Sequence, residues 1–390
     1  MECYVLDGTY TPIGMIDQAD SILWLKKYND IGECEIFLPC SYEMLSLLKI
    51  GHYIFRYDDD MFCVIEKVEI TTDVEQGDFI IATGRDICSI LSGRIVRWQI
   101  TFSGTAANFI KKLLTDNVIN PQQMQRKIPN LIVDDSNFST LTEKIEMTAN
   151  TDDLLQLISS TCKTCGYGFR LSYDIDIGKL VFRLYSGVNR SDAASDEYIE
   201  FSPEYGNIIS SSYSVDASAE KNVAYVGYKN TAEEFHLLSI YKGAEEPQGE
   251  ARREIYVDGT GTSRDITEDE LKELFPNAAL TGTTYNATIG GEQIAVATVD
   301  GDTITVTDYT YLLLIRILGR NALYDGRTVE NFSGEVDTLS SYQYKDDYDI
   351  GDIVSVYNDY GIGASARIIE VMESEDNDNG YVVEPHFEYA

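Results

Sequence analysis

Two stretches of this chain, one in each half, carry the same landmarks in the same order. The first reads KIGHYIFRY and the second reads DIGDIVSVY. Each follows a Gly-Glu pair and precedes a run that contains a Glu and a turn that contains a Gly. The landmarks are Gly32-Glu33, Gly51, Glu66 and Gly77 in the first copy, and Gly334-Glu335, Gly351, Glu370 and Gly380 in the second. This ordered series predicts that one folding unit occurs twice.

Each copy has the pattern of four short strands bounded by glycine turns. Tyr53 and Phe55 alternate in the first copy, as Ile353 and Ser355 do in the second, so one face of each unit is expected to be partly buried. Closing such strands into a small barrel removes the unpaired edges of a flat sheet. We therefore predict an α+β, β-rich fold with two related small β-barrels separated by α+β segments. The alternative interpretation is a chance similarity between two glycine-rich β-meanders.

The stretch between the copies has helical as well as strand patterns. Apolar spacing predicts one helix after Ser103 or Thr105, and another that ends near Gly166. Thr267 and Glu270 form the pattern of a capping box at the start of a short helix. The chain is longer than one core usually supports. We predict a first barrel with a rim helix at 1–100, an α+β middle domain at 101–240, a variable strand-rich insertion at 241–310, and a helix with the second barrel at 311–390. The part of the insertion at about 260–308 is expected to project outward and to be removable.

The formal net charge of -35 restricts the partners of this chain. Binding to nucleic acid phosphates or to anionic membrane surfaces needs a basic footprint, so we expect no specific nucleic-acid binding and no stable membrane insertion. The sequence has neither a long apolar run nor the pattern of a signal peptide. We therefore expect synthesis and assembly in a cytoplasm. The seven scattered cysteines then favour reduced core residues over a disulfide framework.

The sequence contains no convincing catalytic or metal-binding pattern. The three histidines, His52, His236 and His386, have no metal-ligand spacing, and Cys162-x-x-Cys165 lacks the further ligands of a zinc site. Two acidic turns, at 174–178 and 375–380, could hold calcium, but solvated hairpin turns are the favoured interpretation. We predict no catalytic, cofactor-binding or metal-binding residues, and no cofactor. The chain is therefore not expected to be an enzyme.

Five motifs, taken together, point to a known family. They are WLKKYNDIGECEIFLP at 24–39, GRDICSILSGRIV at 84–96, FSGTAANFIKKLL at 102–114, NVAYVGY at 222–228, and YDIGDIVSV near the C-terminal end. In order and spacing they resemble the baseplate or tail-tip hub proteins of long-tailed bacteriophages, especially the N-terminal hub type of siphophage tail-associated proteins. The resemblance covers most of the chain outside residues about 240–310.

The resemblance implies a structural virion protein at the tail tip. It implies a homotrimeric ring in which six related barrels alternate around a channel and adapt the six-fold tail tube to a three-fold tip. The implied partners are the distal tail or tail tube protein, the tape measure protein, and tip or receptor-binding proteins. Two other function classes remain open: a carbohydrate- or receptor-binding tail module, and a tail-associated hydrolase, which the few histidines disfavour.

Overall fold

The two related stretches lie side by side in one large sheet. The computed structural model describes residues 1–73, 77–194, 198–336, 342–361, 363–377 and 380–389. Within these residues a 13-stranded, mainly antiparallel sheet contains both halves of the repeat, and four smaller sheets come from the chain between them. The fold is therefore β-rich with α+β segments in the middle, as the sequence predicts.

The elements are numbered in chain order. The strands are β1 (Cys3–Leu6), β2 (Pro12–Ile16), β3 (Ser21–Lys27), β4 (Glu33–Pro39), β5 (Tyr53–Phe55), β6 (Phe62–Asp73), β7 (Gly77–Asp86), β8 (Ile100–Thr105), β9 (Leu131–Asp134), β10 (Lys144–Ala149), β11 (Gly168–Asp174), β12 (Lys179–Tyr185), β13 (Glu200–Phe201), β14 (Ile208–Asp216), β15 (Val223–Lys229), β16 (Phe235–Tyr241), β17 (Glu254–Asp258), β18 (Asp265–Ile266), β19 (Ala279–Thr281), β20 (Thr284–Ile289), β21 (Glu292–Asp300), β22 (Thr303–Val306), β23 (Val329–Val336), β24 (Ile353–Tyr357), β25 (Gly363–Asp376) and β26 (Gly380–Tyr389). The α-helices are α1 (Tyr42–Leu47), α2 (Ala106–Leu114), α3 (Leu154–Cys165), α4 (Glu268–Leu274) and α5 (Asp308–Asp325).

The two halves of the large sheet share one strand order. In the first half the order is β3-β4-β7-β6-β5, and in the second half it is β14-β23-β26-β25, with β24 paired to β25. Each long strand has a bulge at the same place, after Ile65 in β6 and after Ile368 in β25. The amide of Gly51 donates to the carbonyl of Ile65, and the amide of Gly351 donates to the carbonyl of Ile368. One strand arrangement therefore occurs twice.

The pairing also corrects two landmarks of the sequence comparison. The bulges place Glu66 opposite no partner residue in β7, and the equivalent bulged residue in β25 is Ile369, so Glu66 does not correspond to Glu370. The register of β4 and β23 makes Glu33 equivalent to Asn331, so the two Gly-Glu pairs are not equivalent either. Gly51 and Gly351 do correspond, and both have positive φ, as do Gly77 and Gly380. The glycines were the reliable landmarks because their backbone conformation requires them.

The strands of the first half surround a shared core without closing through hydrogen bonds. Side chains from β1 to β7, including the fully buried Trp24, Ile36 and Ile65, form one cluster. Among the described residues, no strand pairing joins β2 to β3. The edge of β3 that a closed first barrel would need is instead paired with β25 of the second half, from Ser21–Lys27 to Glu370–Asp376. The two halves are thus joined edge to edge in one continuous sheet.

The middle of the chain forms its own α+β layer. The hairpin β11–β12, with β9 beside it, packs with α2 and α3 in one apolar cluster. Thr105 caps α2, Asp153 caps α3, and Gly166 ends α3 in the left-handed conformation. The predicted rim helix is a 3₁₀ helix, Ile87–Gly93, that Asp86 caps. The sequence pattern locates Thr105 and Gly166 correctly, but it places the start of α3 at Asn150 or Thr151, whereas the helix begins after Asp153.

The strands after residue 260 share a core with their neighbours. The five-stranded sheet β18–β22 and α4 pack against α5 and β15, through residues that include Leu271, Val296, Leu314 and Val226. The capping box of Thr267 and Glu270 is present. This packing argues against a projecting segment that can be removed without loss of structure. The division of the chain into four domains remains a prediction.

No helix in the described parts of the chain is both long and apolar enough to cross a membrane.

Candidate functional site

The most unusual feature of the molecule is a group of charged side chains, most of them buried, between the two halves of the large sheet. The group takes residues from β3, from the loop between β5 and β6, from the end of β7, from β11, from the segment before β24, and from β25. Its members are Lys26, Arg56, Asp58, Asp59, Asp60, Asp86, Arg170, Lys345 and Glu373. We call it the junction network. It links three parts of the chain that are far apart in the sequence.

Asp59 is the centre of the junction network. Its side chain is fully buried, and its Oδ2 lies 3.2 Å from Nζ of Lys26 and 2.9 Å from Nζ of Lys345. Burial alone would raise the pKa of Asp59, but the two ammonium groups outweigh it and hold the pKa well below its ordinary value. Asp59 is therefore a carboxylate that is shared between a cation of the first half and a cation of the second half.

A second link runs from Arg56 to β25. The guanidinium of Arg56 lies 3.2 Å from Oε1 of Glu373, and both side chains are almost completely buried. The same oxygen accepts a hydrogen bond from the hydroxyl of Tyr381 at 2.6 Å, while Lys345 lies 3.5 Å from the other oxygen of Glu373. Arg56 also lies over the ring of Trp24. A buried charge of either sign here has an opposite charge beside it, as burial requires.

The middle layer contributes Arg170 of β11. Its Nη1 donates to Oδ2 of Asp86 at 3.0 Å, and its Nε lies 3.7 Å from Oδ1 of Asp60. Burial raises the pKa of Asp86 despite the facing Arg170. Oδ1 of Asp86 accepts from the amide of Cys88, so the same carboxyl also caps the 3₁₀ helix. The first half is thus tied to the middle layer as well as to the second half.

Tyr28, just after β3, packs between the first half, the middle layer and the second half, beside these charges. Its hydroxyl donates to the carbonyl of Gly166 at 2.9 Å, and its amide donates to the carbonyl of Ile369 at 2.8 Å. A Cβ on Gly351 would lie 2.3 Å from the Tyr28 ring, and a Cβ on Gly168 would lie 2.4 Å from it. Only glycine fits at these two positions, so the close approach of the three parts depends on both residues.

A cavity of about 510 Å³ opens beside the junction network. Lys26, Asp60, Arg170 and Lys345 line one side of it. In the described residues, no group of three or more His, Cys, Asp or Glu side chains has the arrangement of a metal site. The charged groups already form ion pairs with one another, so the arrangement is suited to fixing the relative positions of parts of the chain rather than to binding an ion.

The sequence-derived site candidates lie apart from one another. All seven cysteines are free, and burial raises the pKa of Cys162 and, to about 11, that of Cys165, so neither thiol is activated. His52 contacts the carbonyl of Leu47, whereas His236 and His386 lie on other sheets or strands. The turn at 174–178 is held by hydrogen bonds to Oδ1 of Asp174. Asp378, in the other acidic turn, lies outside the described residues.

Comparison with known proteins identifies the family. The family model described as Siphovirus ReqiPepy6 Gp37-like protein matches residues 2–387. The chain belongs to this family. Its siphovirus family and its tail-protein fold together make it a protein of the siphophage tail. No curated protein sequence matches the chain.

Solved structures of tail proteins share the fold. The tail protein from Neisseria meningitidis MC58 is 12% identical, with 99% of this chain and 95% of that chain covered at a TM-score of 0.53. The 43 kDa tail protein of prophage MuSo2 from Shewanella oneidensis is 10% identical, with 100% and 98% covered at a TM-score of 0.50. Prophage tail protein gp18 from Listeria monocytogenes EGD-e is 14% identical, with 100% and 95% covered at a TM-score of 0.48. The first two likenesses place this tail protein among folds of similar length and architecture.

Proposed function

We propose that this tail protein is the hub of the tail tip or baseplate. In this proposal three copies form a ring around a channel, and each copy contributes two barrel-like units. The ring adapts the six-fold tail tube to a three-fold tip. The distal tail or tail tube protein lies on one side, the tip or receptor-binding proteins lie on the other, and the tape measure protein ends at the channel.

The observation that carries this proposal is the repeated strand order, β3-β4-β7-β6 in the first half and β14-β23-β26-β25 in the second. Three chains with two equivalent units each offer six similar surfaces, which is what a six-fold partner requires. A single unit per chain would offer only three. The duplication therefore has a direct use in an assembly where the symmetry changes.

The junction network supports the same function. A ring of six units stays regular only if the two units within a chain keep a constant relation. Asp59 between Lys26 and Lys345, and Glu373 beside Arg56, tie the two units together through buried charges. Removing one member would take away part of the compensation of a buried charge, so the relation between the units is strongly specified.

The net charge of -35 suits a channel through which DNA passes. Carboxylates facing a channel would repel phosphate and prevent adhesion. We expect the purified protein to show no binding to duplex DNA at physiological salt in a filter or anisotropy assay. Sub-micromolar, salt-sensitive binding would contradict this part of the proposal.

Imaging of the native particle by electron cryo-microscopy tests the function directly. The expected result is three copies of this chain at the distal end of the tube, with six superposable units in alternation around the channel. A monomer or dimer in the particle, or a location along the tail shaft, would contradict the hub proposal. The family membership would be unaffected by that outcome.

A second candidate function, a carbohydrate-binding tail module, is favoured by one cleft. A cavity of about 680 Å³ lies between the β8–α2 region and the β18–β22 sheet. Trp98, which is 58% exposed, lines it together with Gln99, Asn120 and Gln122. An exposed indole beside amide side chains suits the apolar face and the hydroxyls of a sugar.

A glycan array probed with the purified protein tests this second function. Saturable binding of a glycan that Trp98→Ala abolishes, and that Tyr205→Ala at another exposed aromatic residue leaves intact, would favour the carbohydrate-binding module. Absence of binding across the array would leave the hub as the better proposal.

A further inference from the structure

Two strand edges of the large sheet have no partner strand among the described residues. In the second half, β25 pairs with β26 on one side, while on the other side its C-terminal part, Glu370–Asp376, pairs with β3. Of the described strands, only β7 pairs with the equivalent part of β6, Lys67–Asp73. At the end of the sheet, β23 is the one described strand that pairs with β14, and β14 is the strand equivalent to β3. In the part of the chain that the structure describes, the contact that joins the two halves thus has a counterpart that no strand fills.

We propose that β6 of one copy pairs antiparallel with β14 of the next copy, in the register that β25 and β3 use within the chain. The inference rests on the proposed ring and specifies its interface. The partner is a second copy of this chain, because the two edges are the equivalents of two strands that already pair. The contact is head-to-tail, so it continues from copy to copy until a ring closes.

The register follows from the pairs within the chain. Trp24 lies opposite Cys34 in β3 and β4, and Tyr213 lies opposite Phe332 in β14 and β23, so Tyr213 is the equivalent of Trp24. The bulges make Lys67 the equivalent of Glu370. Between copies, the predicted opposite pairs are Lys67 with Asp216, Val68 with Val215, Ile70 with Tyr213, and Thr72 with Ser211.

The charges of these residues are complementary. Within the chain, Lys27 of β3 lies 3.8 Å from Glu370 of β25. The equivalent inter-copy pair is Asp216 of β14 with Lys67 of β6, which has the same opposite charges with the signs exchanged. Opposite charges directly across an antiparallel pair are stabilising, and like charges would be destabilising. A random pairing of two acidic surfaces would more often bring like charges together.

The apolar residues on the two edges give an independent reason. Ile70 is 53% exposed in the single chain, and Val215 is 50% exposed. In the proposed register they lie on one face of the joined sheet, next to Tyr213 and Val68. Long edges with exposed apolar side chains are normally blocked or covered in soluble proteins. Pairing with a second copy would cover both edges at once.

A charge exchange tests the interface in the assembled particle. We expect Lys67→Glu alone and Asp216→Lys alone to lower at least tenfold the fraction of the chain that enters tails, since each places like charges opposite each other. The double variant, Lys67→Glu with Asp216→Lys, should restore most of that fraction. The matched control is Lys229→Glu, which reverses an exposed lysine on another sheet. Single variants that assemble normally, or a double variant no better than the singles, would overturn the pairing.

Disulfide trapping tests the register and separates it from the hub function. In oxidised particles, Ile70→Cys with Tyr213→Cys should give covalent dimers and trimers on a non-reducing gel, whereas Ile70→Cys with Ile209→Cys should not. A trimeric ring in the particle without the first cross-link would overturn this interface and leave the hub function standing. A chain that is monomeric in the particle would overturn both.

Discussion

Nζ of Lys345 lies 2.9 Å from Oδ2 of Asp59, so the segment before β24 of the second half closes onto the β5–β6 loop of the first half. The same ammonium group donates to the backbone carbonyl of Asp58 at 3.0 Å. Lys345 of the second half thus contacts the β5–β6 loop of the first half at two points, the side chain of Asp59 and the backbone carbonyl of Asp58. The two halves are therefore joined by a specific polar contact in addition to the β3–β25 strand pairing.

Replacing Lys345 with Met should weaken this polar contact between the two halves. The variant keeps the length of the side chain but leaves the buried Asp59 with Lys26 as its remaining cation. Loss of one partner of a buried ion pair is costly, and because Lys345 is 27% exposed we expect a loss of about 2 kcal/mol in the free energy of unfolding. Chemical denaturation measures it. The matched control, Lys229→Met, breaks an exposed pair with Glu233 and should cost less than about 0.5 kcal/mol. Equal stability of the two variants would show that Lys345 does not hold the halves together.

The equivalent glycines Gly51 and Gly351 allow a matched comparison. Both have positive φ, +84° and +96°, so alanine at either position brings the backbone strain of a left-handed conformation, about 1–2 kcal/mol. A Cβ at Gly51 would have no atom of the described residues within 4 Å, whereas one at Gly351 would lie 2.3 Å from the Tyr28 ring. We expect Gly51→Ala to lower the free energy of unfolding only by the strain. Gly351→Ala should lower it by at least about 3 kcal/mol, because the side chains packed around Tyr28 must move apart. Thermal melts of the two variants check this. Similar losses would show that Tyr28 can move aside.

Much of the fold could be predicted from local patterns. The caps of α2, α3 and α4 depend on residues within a few positions of the helix ends, so Thr105, Gly166 and the Thr267–Glu270 pair were recognisable in the sequence. The repeat was recognisable because Gly51 and Gly351 need the same backbone conformation. The joining of β3 to β25 was not, because strand pairing across hundreds of residues leaves no local pattern.

The junction network was missed for the same reason, although one signal was present. Ile22, Trp24 and Lys26 alternate along β3, and Tyr28 continues the alternation just after it. All four are buried, so Lys26 occupies an inward position. A lysine at an inward position needs a buried anion. The alternation could have identified Lys26, but it could not have shown that Asp59 and the distant Lys345 complete the group.

Glu273 of α4 should make the stability depend on pH. The pKa of Glu273 is raised to about 7, chiefly by burial and also by the nearby Glu270, Asp269 and Asp116, which together outweigh the lowering effect of Lys112. Because the folded-state pKa lies above the ordinary value, the folded protein retains a proton that the unfolded chain has lost, and stability falls as pH rises from about 4.5 towards 7.

The variant Glu273→Gln should remove this dependence. We expect it to match the natural protein at pH 4.5 and to exceed it by about 1 kcal/mol at pH 8, an amount kept small because the side chain is partly exposed. Thermal melts at the two pH values measure the difference. The control is Glu268→Gln, where hydrogen bonding to Lys272 lowers the pKa and no gain at pH 8 is expected. A constant difference between Glu273→Gln and the natural protein at both pH values would contradict the raised pKa.

Removal of the strands between Arg264 and Val306 should unfold the region around α5. The two cut points are adjacent, since the amide of Val306 donates to the carbonyl of Arg264 at 2.8 Å, so a short Gly-Ser linker can join them without strain. The excised residues, however, share one apolar cluster with Val226, Leu314 and Ile315, which are fully buried. Exposing three such side chains costs roughly 5 kcal/mol or more, which is comparable to the whole stability of a domain.

We therefore expect the shortened protein to lose its cooperative thermal transition and to bind a hydrophobic dye. The control is Gly290→Asn in the exposed turn between β20 and β21, where φ is +61° and Asn tolerates the left-handed conformation. Its free energy of unfolding should lie within about 1 kcal/mol of that of the natural protein. A shortened protein with a cooperative melt and an unchanged midpoint would show that the segment is the removable projection that the sequence pattern predicts, and that α5 and β15 are stable without it.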